Sequence, residues 1–204
     1  MIPVASLNQR LSRLSTTTRI ILLAVILVPV IVVGALVFAA NRQPAPVAVQ
    51  VDIVAFNKAL AEGDKQLNQA AYDAALASYD QAEAANPVSP APAVKRGTVY
   101  LAQGLTDQAV AQFNAALVKD STYALAYFML GETGRSQGNL NAALEQYQRA
   151  LRVNPAFADA YTQIGGIYQD RGDLKAAAEQ YNLALQAAVN DVRARASALT
   201  RLGN

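Results

Sequence analysis

From residue 56 onward, small and aromatic positions return every 34 residues. Glycine occupies one column at Gly63, Gly97, Gly131 and Gly165, and alanine two others, Ala75, Ala109, Ala143 and Ala177, then Ala82, Ala116, Ala150 and Ala184. An aromatic column runs through Tyr79, Phe113, Tyr147 and Tyr181. Between these columns apolar residues recur at spacings of three and four, which gathers them on one face of a helix. The pattern predicts four helix–turn–helix units at about 56–89, 90–123, 124–157 and 158–191, and DVRARASALTRL predicts a capping helix over about 191–202. A single hairpin of this size cannot bury its apolar face alone, so such units stack into an all-α solenoid.

Turn chemistry supports the same division. Gly104, Gly138 and Gly172 stand between the two helices of units two to four, where a residue without Cβ suits the left-handed conformation that ends a helix. The first unit has Ala70 at that place. Asn86-Pro87 and Asn154-Pro155 close the second helix of their units, because proline disfavours helical geometry in the residue before it. Asp52 is the expected N-cap of the first helix. The small columns let helix backbones approach, and the aromatic column fills the space beside each crossing.

Ahead of the repeats the pattern changes. Residues 20–40 carry no charge and would span roughly 32 Å as a helix, the thickness of a bilayer's hydrocarbon core. Pro29 and Gly34 weaken a soluble helix and are tolerated in a transmembrane one. Arg10, Arg13 and Arg19 precede the segment and only Arg42 follows closely, so residues 1–19 read as a cytoplasmic tail and the repeats as extracytoplasmic. The alternative is a cleaved signal, leaving a periplasmic or secreted protein, although signal cores run to about 7–15 residues. Residues 41–51, with Pro44 and Pro46, read as an extended spacer leading into a folded region over 52–204.

Composition removes several classes of chemistry. The 204 residues include no Cys, no His and no Trp, so disulfides, thiolate or imidazole metal sites and His-based nucleophilic triads lack their groups. No cofactor is expected, and no metal. Three of the 17 basic residues precede the apolar run while all 15 acidic residues follow it, which leaves the repeats nearly neutral and without a basic stripe for nucleic acid. Scattered carboxylates such as Asp64, Asp73 and Glu132 are read as solvated helix-surface groups rather than a catalytic pair. Arg193, Arg195 and Arg201 supply the polar outer face of the capping helix.

The third unit, YFMLGETGRSQGNLNAALEQYQRALRVNP, resembles the tetratricopeptide repeat through Tyr127, Leu130-Gly131, Ala143, Tyr147, Ala150 and Pro155, and the fourth through Tyr161, Ile164-Gly165, Tyr168, Ala177, Tyr181 and Ala184. Departures are Ala59 and Ala93 where an aromatic is usual, Gly134 where Tyr is usual, and Ser121 and Val189 in the proline column. The resemblance implies a right-handed solenoid whose first helices line a concave groove that holds peptides. The remaining stripe on those helices supplies the candidate groove residues: Leu60 and Asp64; Val94, Thr98 and Leu101; Phe128, Glu132 and Arg135; Thr162 and Gln169. Family members that grip an acidic C-terminus use a Lys/Asn/Lys/Arg set, and of the matching places Leu60, Asp64, Lys95, Leu125 and Met129 only Lys95 conforms.

The expected function is therefore a membrane-anchored interaction module or scaffold, single-pass, that holds a protein or peptide segment outside the cytoplasm. The alternative is a self-assembling, homo-oligomeric membrane protein. Catalysis is not expected.

Overall fold

The computed structural model describes residue 15, residues 50–188 and residues 191–203. The tail, the apolar segment at 20–40 and most of the spacer therefore lie outside the described residues. No helix among the described residues is long and apolar enough to cross a membrane.

Among the described residues the regular structure is all helical. Unit one is α1 (Ile53–Asn68) and α2 (Tyr72–Ala85); unit two is α3 (Ala91–Ala102) and α4 (Thr106–Lys119); unit three is α5 (Ala124–Ser136) and α6 (Leu140–Val153); unit four is α7 (Ala158–Asp170) and α8 (Leu174–Ala187). The closing helix is α9 (Val192–Leu202). Each pair packs as a hairpin, each second helix contacts the next first helix, and α9 lies on both α7 and α8.

The repeat columns do what the sequence asks of them. A Cβ added at Gly63 or Gly131 would lie 2.5 Å from the ring of Tyr79 or Tyr147, and Gly97 and Gly165 are equally close to Phe113 and Tyr181. That is far inside van der Waals contact, so glycine is a steric requirement of each hairpin. Tyr79, Phe113 and Tyr147 are fully enclosed, as are Ala75, Ala82, Ala109, Ala116, Ala143 and Ala150.

Helix ends follow from local chemistry. Asp52 Oδ1 accepts from the Val54 and Ala55 backbone N–H groups at 3.1 and 2.9 Å, which caps α1. Asp191 Oδ1 caps α9 by accepting from Ala194 N at 2.9 Å. Gly104, Gly138 and Gly172 take φ of 76°, 77° and 80°. Ala70 takes φ of 56° at the same place in unit one, so that unit departs in residue type and keeps the conformation. A Cβ there carries the steric penalty that glycine avoids in the other three turns.

Candidate functional site

Contacts between α1 and α3 and between α3 and α5 set the first helices side by side, so the stripe left over from hairpin packing forms a continuous surface. Its middle is apolar. Leu60 is half-buried between the Phe56–Ala59–Ala82 and Ala75–Tyr79–Val99 clusters, and Leu101 is half-buried against the cluster that contains Phe113. Phe128 is also half-buried, its ring 5.6 Å from Tyr147 and 5.0 Å from Phe157, centroid to centroid. Leu125 stands one turn before it with 36% of its surface exposed.

Two of the expected groove residues lie beneath that surface. Val94 is 3% exposed and belongs to the core cluster with Ala93 and Phe113. Thr162, also 3% exposed, turns its Oγ1 back to donate to the Ala158 carbonyl at 3.1 Å. Thr98 is half-buried and does the same toward the Val94 carbonyl at 3.1 Å. Val94 and Thr162 thus belong to the interior and Thr98 is partly covered, which leaves the open surface to their neighbours.

The polar members are tied to the aromatic column in a way that column-by-column reading missed. Tyr79 donates its hydroxyl to Asp64 Oδ1 at 2.7 Å, and Tyr147 donates to Glu132 Oε1 at 2.5 Å, in each case across fifteen residues. Unit two has Phe113, which needs no acceptor, and Thr98 stands where the acid would be. Unit four has Gly166 there, and Tyr181 donates instead to Gln169 Oε1 at 2.7 Å. The signal was present in the sequence as a pairing of columns: Asp64 with Tyr79 and Glu132 with Tyr147, no acid beside Phe113, and Gln169 in place of an acid beside Tyr181. Burial first, then the hydrogen bond and charge of the neighbouring acid, push the Tyr79 and Tyr147 hydroxyls well above the ordinary phenol range. Both phenols are held as proton donors, which fixes the carboxylates on the groove floor.

Charges along the stripe are largely partnered. Lys95 Nζ lies 2.8 Å from the Asp64 carboxylate, and Arg135 lies 3.7 Å from Glu132 with 44% of its side chain exposed. The one residue that conforms to a carboxylate-gripping set is thus engaged by its own neighbour. At the far end, Arg201 of α9 passes over Gly166, where a Cβ would meet its Nη1 at 3.3 Å. Arg201 is exposed, as the polar outer face of the capping helix requires, and it also lies over Gly166 and beside Gln169 in the fourth unit's share of the stripe. Gln169 and Tyr181 line a small recess of about 210 Å³ beneath it. The open part of the surface is therefore carried by α1, α3 and α5. Among the described residues no three acidic side chains gather in a geometry that would hold a metal ion.

Paired antiparallel helices stacked through a glycine–aromatic crossing define a helical-repeat protein, a class whose members act by holding other proteins. Tetratricopeptide repeat profiles match residues 60–124, 94–143 and 158–190, and a further TPR repeat profile matches 135–170. Together they run over more than half of the chain, and the chain belongs to the tetratricopeptide repeat family. No curated protein sequence matches it. Among solved structures it is similar to the MamA protein, at 26% identity and a TM-score of 0.52 over 73% of this chain and 88% of that one. It is similar in fold to YrrB, described as a TPR protein with an unusual peptide-binding site, at 20% identity and a TM-score of 0.53 over 70% and 71% of the two chains. It is likewise similar to pilF of Pseudomonas aeruginosa, at 16% identity and a TM-score of 0.60 over 73% and 68%. The fold is that of a protein-interaction module.

Proposed function

We propose that this protein is a membrane-anchored scaffold that holds a peptide or protein segment along the surface of α1, α3 and α5, outside the cytoplasm. The observation that carries the reading is the half-buried row Leu60, Leu101 and Phe128 with exposed Leu125 beside it, flanked by Asp64, Glu132 and Arg135 and ended by Arg201. Such a surface suits a segment with one or two apolar anchors and a few polar contacts, the arrangement in which a small cluster supplies most of the binding energy. With Lys95 paired to Asp64, an acidic C-terminus has no ready clamp. The anchor rests on the uncharged run at 20–40 and the arginines before it.

The two halves of the proposal separate experimentally. A reporter enzyme active only outside the cytoplasm, fused after residue 204, should be active, and activity of a cytoplasm-only reporter at that position would reject the exported topology. Proximity labelling from the repeat region in intact membranes should lose its strongest products in a Leu125→Glu/Arg135→Glu variant. Those two side chains are exposed, so the substitutions leave the core intact. Unchanged labelling in a folded variant would reject the groove.

A further inference from the structure

The side of α5 turned away from the groove stripe holds a second recess, of about 330 Å³, between α4, α5 and α6. It opens at Gly134, among Val110, Leu117, Leu130, Ala142 and Gln146. That volume falls within the range of about 300–1,000 Å³ typical of small-ligand pockets. The repeat itself explains why space exists there. Tyr100 and Tyr168 stand in the same column of units two and four, and each packs half-buried against its core cluster. Unit three alone has a glycine in that column, and unit one has Gln66, whose Oε1 accepts from Ser78 Oγ at 2.7 Å.

A second observation at the same place concerns a polar atom. Gln146 Oε1 is buried and has no hydrogen-bond partner. Its counterpart one unit earlier, Gln112 Oε1, accepts from Arg96 Nε at 3.0 Å, but the residue in the Arg96 column of unit three is Leu130. An unpaired buried amide oxygen costs free energy until a donor arrives. A guanidinium is the wrong donor for this recess. Arg96 is held by Asp80 and Glu83, and the matching places beside Gly134 are the uncharged Asn114 and Leu117. The one cation on the rim, Arg149, already pairs with Glu145 at 2.6 Å. What is missing is a flat apolar body carrying one neutral donor.

We propose that the Gly134 recess receives a tyrosine side chain from a bound protein segment, and that the Gln146 side chain turns its amide oxygen, closed off from solvent in the free protein, toward the recess to accept from the phenol O–H. The site is separate from the groove and stands or falls independently of it. The incoming ring occupies the volume that Tyr100 and Tyr168 fill from within in neighbouring units, and the hydroxyl satisfies the acceptor that Leu130 leaves without a donor.

The test uses the full chain in lipid nanodiscs, titrated with N-acetyl-tyrosinamide, N-acetyl-phenylalaninamide and N-acetyl-argininamide while backbone NMR shifts are followed. The tyrosine probe should give saturable shifts centred on Thr133, Gly134 and Ala142, with affinity about three- to tenfold above the phenylalanine probe, the range one neutral hydrogen bond provides. The arginine probe should give none. Gln146→Leu should erase the preference for tyrosine over phenylalanine, and Gly134→Tyr should abolish saturable binding by filling the recess from within. A Cβ at Gly134 would sit 3.3 Å from Ala143 N, so Ala142→Trp at the exposed rim serves as a second block should the first variant unfold. Shifts that do not saturate, that persist in both blocked variants, or that rank phenylalanine or arginine above tyrosine would overturn the proposal.

Discussion

The junction between units one and two is held by charge, and the junction between units three and four by rings. At the first, Arg96, only 12% exposed at its side chain, reaches Asp80 at 3.0 Å, Glu83 at 2.5 Å and Gln112 at 3.0 Å, while Lys119 binds Glu83 and the Pro87 carbonyl. At the second, Phe128 packs between Tyr147 and Phe157, and Ile164 and Ile167 complete the cluster. The two junctions share the glycine–aromatic crossing and the alanine columns. They differ at the column that reads Arg96 in unit two, Leu130 in unit three and Ile164 in unit four. One backbone arrangement thus accepts either an ion network or an apolar plug at its seam. Solvent conditions should act on one and largely spare the other.

Phe128→Ala should have the largest effect, a loss of about 2–4 kcal/mol in denaturant unfolding, nearly independent of salt, because it empties the space between two other rings. Arg96→Leu, which gives unit two the residue type of unit three, should cost about 1–2 kcal/mol at low ionic strength. It leaves Gln112 Oε1 and Asp80 without their donor, and the difference from the parent should shrink as salt is added. The sign of this change is informative: a gain in stability would mean that the apolar seam is the better solution even beside Glu83.

The pH response follows from the same contrast. Burial alone would raise the Glu83 carboxyl, but hydrogen bonds from Lys119 and Arg96, with their charges, outweigh it and hold it below its ordinary value of 4.5. A lowered folded value means stability that is present above about pH 4.5 and is lost as the pH falls through the lowered value. Acid should therefore loosen the first junction before the second, and hydrogen exchange in α3 and α4 should rise before that in α7 and α8. In alkali the contrast is lost, because the raised hydroxyls of Tyr79 at the first junction and Tyr147 at the second both withdraw stability as the pH climbs above 10.0, while Phe113 of unit two contributes nothing.

The smallest effect lies in the turns. Ala70→Gly should add about 1 kcal/mol by relieving positive φ in unit one, less the extra freedom glycine gives the unfolded chain. It would bring that turn into line with Gly138 and Gly172. A neutral or harmful result in thermal unfolding would show that the strain is absorbed elsewhere in the hairpin.

Most of the fold was legible because steric demands repeat. A residue required at Gly63 is required again at Gly97, Gly131 and Gly165, so four independent appearances mark one contact. The cap at Asp52 and the stops at Asn86 and Asn154 were legible for a different reason, since the chemistry of one or two adjacent residues decides them. The groove was only partly legible. Helical spacing alone assigned Val94 and Thr162 to a ligand surface, whereas both are buried in the structure, Val94 within the cluster that joins Ala93, Phe113 and Ala126 of the next unit. Arg201 over Gly166 was hidden because a long side chain from another helix decides that exposure, and no period in the repeat encodes it. The acceptors beneath Tyr79 and Tyr147 were written in the sequence as correlated columns.

The central claim is that recognition occurs on the α1–α3–α5 surface. A photoreactive amino acid placed at Leu125, in the full chain in its native cells, is the most direct test, with the same residue at exposed Gln148 on α6 as the reference position. The account predicts a discrete crosslinked protein from position 125 that is absent from position 148 and is lost when Arg135→Glu is added. Equal products from both positions, or a product from 148 alone, would contradict it.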